Sequence, residues 1–214
     1  MSILNVTKYT LLFSILSIIC LWQWSARAGD PGVNSRENYF KLAVEGDVPP
    51  RAQTNEVLRD SGVTNAFDLA DSKGYHLSSS FQTESKGPTK MVVRTLEYAA
   101  MNGDLSERFR VSVSESNSGS DEAMNALAYL MSSSSTMGGI RFKQFKQGPG
   151  DICFVNRGAH TDGVERDINV VFFCRDNIAV MVMPYSSQSN ILPFSRLLDS
   201  SLLTLPIRTR LPVK

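Results

Sequence analysis

The sequence predicts a single α+β domain in which a mostly antiparallel sheet of about five to seven strands packs against helices. The pair Asn102-Gly103 separates two strand-like segments, residues 91–100 and 105–114, and this pattern is typical of a β-hairpin. Two nearly continuous apolar runs, residues 168–174 and 178–183, indicate strands that are covered on both faces. The hairpins leave no long crossover between strands, and this favours antiparallel pairing.

The first 28 residues have the layout of a cleavable secretory signal. Lys8 precedes an uncharged apolar run over residues 11–22, and Ala26-Arg27-Ala28 supplies the small residues that signal peptidase requires. The run is shorter than the ~20 residues of a membrane span, although an uncleaved anchor is the alternative. We therefore expect an extracytoplasmic protein, periplasmic or secreted, that starts at Gly29 and meets a membrane only if the signal is retained.

Residues 29–53 are predicted to form a polar, irregular N-terminal arm, and residues 54–214 a single domain. Thr54 can cap a short helix over residues 54–60, and helical spacing predicts a second helix over residues 63–74. Residues 75–82 follow as a strand.

The hairpin register can be predicted from its turn. If Met101 pairs with Asp104, then Leu96 faces Phe109 and Arg94 faces Val111. That face of the hairpin is apolar apart from Arg94. The opposite face is expected to meet water, and it carries Thr95, Glu97, Arg110 and Ser112.

Two further helices are predicted. Ser120 can cap the first, whose N-terminus has Asp121-Glu122 and which ends in the serine run 132–135. Pro193 opens the second, which precedes an extended tail. Their apolar stripes are Met124, Leu127, Ala128 and Met131 in the first, and Phe194, Leu197, Leu198 and Leu202 in the second. Strands are predicted at residues 140–145, 151–155, 168–174 and 178–183.

Charge and cysteine content narrow the function classes. The chain has 214 residues, 22 of them basic and 21 acidic. Loss of Lys8 and Arg27 with the signal would leave 20 basic residues against the same 21 acids. A chain with a net charge so close to zero has no overall electrostatic field that would attract nucleic acid or an anionic membrane. Cys153 and Cys174 would remain, and in an oxidising compartment a disulfide between them is predicted; two buried free thiols are the alternative.

The basic-aromatic segment over residues 141–146 has two interpretations. It could be a nucleic-acid surface, or an edge strand protected by lysine. The second interpretation is favoured, and no nucleic-acid partner is expected.

Catalytic signatures are absent from the sequence: it has no nucleophile elbow, zincin helix, P-loop or dinucleotide glycine fingerprint. His160, with Asp162 nearby in a polar loop, is the best candidate for proton chemistry, against an ordinary loop histidine as the alternative. Arg94 is the candidate ligand-binding residue, because a guanidinium on an apolar face needs an internal acid or an anionic ligand. No metal site or cofactor is predicted.

These observations favour an exported, non-catalytic module that binds a protein partner or a small ligand outside the cytoplasm. The alternatives are an extracytoplasmic hydrolase that uses His160 with nearby carboxylates, and an inhibitor or immunity-type protein.

Overall fold

The computed structural model describes residues 36–46, 57–59, 73–84, 92–104, 107–116, 119–136, 141–157, 168–186 and 191–210. Within them, seven strands form one antiparallel sheet, and two short strands pair separately. The helices are α1 (Arg36–Ala43), α2 (Ser120–Thr136) and α3 (Ile191–Leu203). The strands are β1 (Val57–Arg59), β2 (Tyr75–Glu84), β3 (Val92–Ala100), β4 (Arg108–Glu115), β5 (Lys143–Gln144), β6 (Ile152–Arg157), β7 (Ile168–Arg175), β8 (Ile178–Pro184) and β9 (Ile207–Arg210).

The seven-stranded sheet has the order β2-β3-β4-β8-β7-β6-β5, and each strand is antiparallel to its neighbours. The predicted α+β fold with a mostly antiparallel sheet is therefore confirmed. The two apolar runs form the strands β7 and β8 near the middle of the sheet, where helices cover both faces. Within the described part of the chain, no helix is both long enough and apolar enough to cross a membrane.

Two hydrophobic cores lie on opposite faces of the sheet. Helix α3 covers the first core, where the Phe194 ring stacks on Phe109 with a centroid distance of 4.2 Å. Helices α1 and α2 cover the second core, which includes the buried residues Phe40, Leu127 and Phe172. The apolar stripes predicted for the last two helices are confirmed, since most of their residues are buried.

The hairpin of β3 and β4 forms as predicted, but its register is shifted by two residues. Leu96 lies opposite Val111 instead of Phe109, and Arg94 lies opposite Val113. The connection is longer than a two-residue turn: the Gly103 amide donates to the Ala100 carbonyl at 3.2 Å, and a further turn follows it. Because strand side chains alternate with a period of two, this shift keeps every side chain on its predicted face.

The second face of this hairpin is only partly exposed, contrary to the expectation that it meets water. Thr95 and Ser112 are buried, and their hydroxyl oxygens lie 3.4 Å apart. Neighbouring strand β8 contributes Met181 to the second core, whose helix α2 also contacts β4. Glu97 and Arg110, farther along the same face, remain partly exposed.

Three predicted elements differ from the structure. The expected arm is not irregular over residues 36–43, where α1 packs Phe40 into the second core. Residues 57–59 form a strand that pairs with β9, although a helix was predicted there. The serine run lies within α2, which ends at Thr136. There Ser132, Ser133 and Ser134 donate their hydroxyl hydrogens to carbonyls about one turn earlier.

The segment 141–146 contributes the edge strand β5, which is shorter than the strand predicted over residues 140–145. Its position at the edge agrees with the favoured interpretation, and the absence of a nucleic-acid partner stays a prediction. The predicted signal over residues 1–28 and most of the helix predicted at residues 63–74 lie outside the described residues.

Candidate functional site

Of the residues predicted to carry chemistry, the structure describes Arg94, Cys153 and Cys174. His160 and Asp162 lie outside the described residues. Arg94 lies on the face of β3 that carries Leu96, as predicted, but it is only partly buried. Its Nη2 donates to Gln82 Oε1 at 3.4 Å, and this neighbour is neutral. The guanidinium is thus less enclosed than the sequence predicts, and its role in ligand binding stays a prediction.

The disulfide predicted between Cys153 and Cys174 is not present in the structure, where both are buried free thiols. Cys153 packs in the first core and Cys174 in the second, so the sheet lies between their side chains. Burial raises the pKa of the Cys153 thiol to about 12, and the nearby Asp199 carboxylate adds to that shift. A protonated, enclosed thiol is a poor nucleophile.

A charged cluster at the β7–β8 turn is satisfied internally. We call it the Arg175 cluster, and it consists of Asp151, Arg175 and Asp199. Arg175 donates Nε and Nη2 to the two Asp199 carboxylate oxygens, both at 2.7 Å. Asp151 accepts from Arg175 Nη1 and from the Asp176 amide. These hydrogen bonds hold the turn against α3 and leave the carboxylates engaged, so this cluster is structural.

A second polar cluster lies on the sheet face that carries Thr95. We call it the Tyr185 cluster, and it consists of Ser79, Glu97, Arg108, Arg110 and Tyr185. The Tyr185 hydroxyl donates to Glu97 Oε1, and Arg110 Nη2 lies 3.0 Å from the same oxygen. Ser79 donates to the other carboxylate oxygen at 3.0 Å. Three neighbouring strands and the end of β8 thus place their side chains around one carboxylate.

The Tyr185 ring lies beside two guanidinium groups. The Arg108 Cζ atom is 4.9 Å from the ring centroid, and the Arg110 Cζ atom is 5.3 Å from it. Both distances are within the range of cation–π attraction. The Arg108 guanidinium makes no hydrogen bond to any other residue that the structure describes. The Arg110 Nε hydrogen also lacks an acceptor among those residues.

The titration behaviour of this cluster opposes proton transfer at neutral pH. Partial burial alone would raise the pKa of Glu97, but hydrogen bonds from Tyr185, Arg110 and Ser79 outweigh it and lower that pKa. Partial burial and the hydrogen bond to Glu97 raise the pKa of Tyr185. Glu97 is therefore ionised and Tyr185 protonated near pH 7. A general acid or base needs a pKa close to the working pH, so the pair suits binding better than catalysis.

Sequence reasoning found part of this cluster and missed the rest. Glu97 and Arg110 were predicted to share one face of the hairpin, and they form an ion pair there. Tyr185 follows the last residue of β8, and continued alternation beyond Pro184 was the only signal that could have placed it on this face. The proximity of β8 to β4 was not predicted, and it brings the ring to the two arginines.

The described residues include no group of three metal-ligating side chains that could hold a metal ion. The comparisons with protein-family models, with curated proteins and with solved structures find no match to this chain. Its function is therefore inferred from its own residues.

Proposed function

We propose that this chain is an exported, non-catalytic module that binds a protein partner outside the cytoplasm through the Tyr185 cluster. The sequence supports export through Lys8, the apolar run after it and Ala26-Arg27-Ala28. The Tyr185 cluster supports binding through the nature of its side chains. Tyrosine and arginine are the residue types, with tryptophan, that contribute most often to strong protein contacts.

The observation that carries the proposal is the position of Tyr185. The residue is 45% exposed, yet its hydroxyl is held by Glu97 and Arg110. A partner that covers this ring would gain an aromatic contact without having to order a mobile side chain. Such preorganisation increases affinity because less conformational entropy is lost on binding.

Arg108 indicates the chemistry of the contacting group. Its guanidinium lies over the tyrosine ring, and none of its donors binds another residue within the described part of the chain. A guanidinium recognises a carboxylate through two parallel hydrogen bonds. Two arginines and one glutamate give the cluster a net positive charge. We therefore expect an acidic side chain or a chain terminus of the partner beside Tyr185.

The test begins with cross-linking in the native envelope fraction, followed by purification of the captured protein and measurement of its Kd. Tyr185→Ala should weaken binding about tenfold or more, as expected for loss of a well-packed aromatic anchor. Arg108→Gln should also weaken it, and should reduce its dependence on salt. Ile207→Thr is the matched control, because Ile207 is an exposed apolar residue on β9, outside the seven-stranded sheet.

Two results would contradict the proposal. One is a purified partner whose Kd is the same for the wild type, Tyr185→Ala and Arg108→Gln. The other is a hydrolytic activity of the purified chain that His160→Ala abolishes, since this would support the hydrolase alternative. Mass spectrometry of the native protein tests export separately, and a start at Gly29 is the expected result.

A further inference from the structure

The two edges of the seven-stranded sheet differ in length and charge. Strand β5 has two residues and is flanked by exposed Arg141 and Lys146, while its own Lys143 pairs with Glu45 at 3.2 Å. Strand β2 has ten residues, and none of them is lysine or arginine. Short strands and lysines are the means by which proteins prevent edge-to-edge pairing. By this comparison β5 is protected and β2 is not.

The second half of β2 is the accessible part of this edge. A bulge at Ser78 interrupts the ladder to β3, and regular pairing resumes at Ser79. Residues 79–83 are all exposed, and all are uncharged. The hydrogen bonds that they make within the described part of the chain go to β3. Their other edge is paired with no described strand.

We propose that two copies of this chain associate through this edge, with β2 of one copy antiparallel to β2 of the other. The two-fold axis lies midway between the two copies of Phe81, so that Phe81 lies opposite Phe81 of the second copy. The result is one continuous sheet that both copies share. This inference does not depend on the Tyr185 cluster or on its partner.

The alternation of side chains limits the possible registers, and Phe81 selects one of them. A two-fold axis perpendicular to the sheet places the same face of both copies on the same side, so opposing residues must share a face. Registers centred on a residue satisfy this condition, and the one centred on Phe81 is proposed because it opposes the two exposed rings. It pairs Ser79 with Thr83, and Ser80 with Gln82. It uses the regular segment after the bulge at Ser78.

Charge and apolar surface favour a second copy as the occupant. No charged residue lies within residues 79–83, so self-pairing places no like charges opposite each other. The side chain of Phe81 is 49% exposed, and pairing would cover it with its own equivalent. Directly opposed aromatic residues are among the stabilising cross-strand pairs.

Sedimentation equilibrium of the purified chain over a range of concentrations tests the proposal. The wild type should show a monomer–dimer equilibrium. Phe81→Lys would place two ammonium groups opposite each other and should weaken the dimer Kd about tenfold or more. Val92→Lys is the control, because Val92 is exposed on β3, which is not an edge strand.

A cysteine variant tests the register and does not depend on how well Phe81→Lys folds. Phe81→Cys should form an intermolecular disulfide, because directly opposed residues of antiparallel strands have Cα atoms about 4.5–5.5 Å apart, within the range of about 4.4–6.8 Å that a disulfide spans. Thr83→Cys should not link to its own equivalent, since Thr83 lies opposite Ser79 in the proposed register. Mass spectrometry of the linked peptides identifies the position. A wild type that stays monomeric at all concentrations, or a dimer that Phe81→Lys leaves unchanged, overturns the proposal.

Discussion

Cys153 and Cys174 lie on adjacent strands of the sheet, but their side chains project from opposite faces. Cys153 lies opposite Phe173 in the β6–β7 ladder and packs in the first core, while Cys174 lies opposite Ile152 and packs in the second. A disulfide requires Cβ atoms about 3.5–4.5 Å apart and directed toward each other. The pleat of the sheet prevents this unless one strand shifts by a residue, which would turn its apolar side chains to the wrong face.

We predict that both thiols are free in the protein taken from an oxidising compartment. Alkylation without reductant should label neither thiol in the native state and both after denaturation, because they are buried and the pKa of Cys153 is about 12. Reductant should leave the Tm unchanged. Recovery of a peptide with Cys153 linked to Cys174 would refute the described register of β6 and β7.

Asp199 is predicted to be the carboxylate on which the Arg175 cluster depends. It accepts two hydrogen bonds from Arg175 and one from the Gly150 amide, and its side chain is only 13% exposed. Asp199→Asn should lower the free energy of unfolding by about 2–3 kcal/mol, because the guanidinium loses its enclosed counter-charge. Asp151→Asn should cost less than about 1 kcal/mol, since the Asp151 side chain is 51% exposed. Urea denaturation of both variants measures the difference, and equal losses would contradict this assignment.

Gly150 is predicted to tolerate no side chain. Its φ is +79°, and a Cβ there would lie 2.4 Å from the Cys174 carbonyl oxygen. Gly150→Ala should lower the free energy of unfolding by about 2–5 kcal/mol, because backbone strain and a steric clash act together. Gly103 has the same φ with open space around it, so Gly103→Ala isolates the backbone strain and should cost about 1–2 kcal/mol. Chemical denaturation that gives equal losses for the two variants would show that the clash is relieved.

The sheet could be predicted because its signals are local. Residues 168–174 and 178–183 are apolar except for Asn169, and such runs are typical of buried strands. The pair Asn102-Gly103 marks the hairpin of β3 and β4, even though its turn is longer than two residues. The predicted register of this hairpin was wrong by two residues, but the predicted faces of its side chains were correct, because a shift of two residues preserves the face. Strand β1 could not be predicted, since its pairing with β9 joins segments almost the whole domain apart.

The candidate site was harder to predict because it depends on the order of strands in space. Glu97 and Arg110 could be paired from the hairpin alone, whereas Tyr185 reaches them only because β8 lies beside β4. The strands β4 and β8 are neighbours in the sheet although α2 and three strands separate them in the sequence, and no short-range pattern indicates this pairing. Arg94 shows a different limit: the pattern gave its face correctly, but alternation does not say how deeply a side chain on that face is buried.

Glu97 is predicted to give the fold a stability that depends on pH. Hydrogen bonds from Tyr185, Arg110 and Ser79 lower its pKa in the folded state, despite the opposing effect of partial burial. A carboxylate with a lowered folded pKa stabilises the fold fully above its unfolded pKa, and this contribution is lost as the pH falls through the folded pKa. The loss should therefore begin near the ordinary glutamate pKa of about 4.3 and grow below it.

Glu97→Gln should remove this contribution. At pH 7 the variant should have a free energy of unfolding about 1–2 kcal/mol below that of the wild type, since hydrogen bonds to an ionised group become bonds to a neutral one. The gap should narrow as the pH falls below about 4.3, because the wild-type carboxylate then becomes protonated and resembles the amide. Urea denaturation at a series of pH values measures it. Glu45→Gln is the control, since the exposed Glu45–Lys143 pair should contribute less than about 1 kcal/mol at pH 7. A gap between wild type and Glu97→Gln that is constant from pH 7 to acid would show that Glu97 acts through packing and not through its charge.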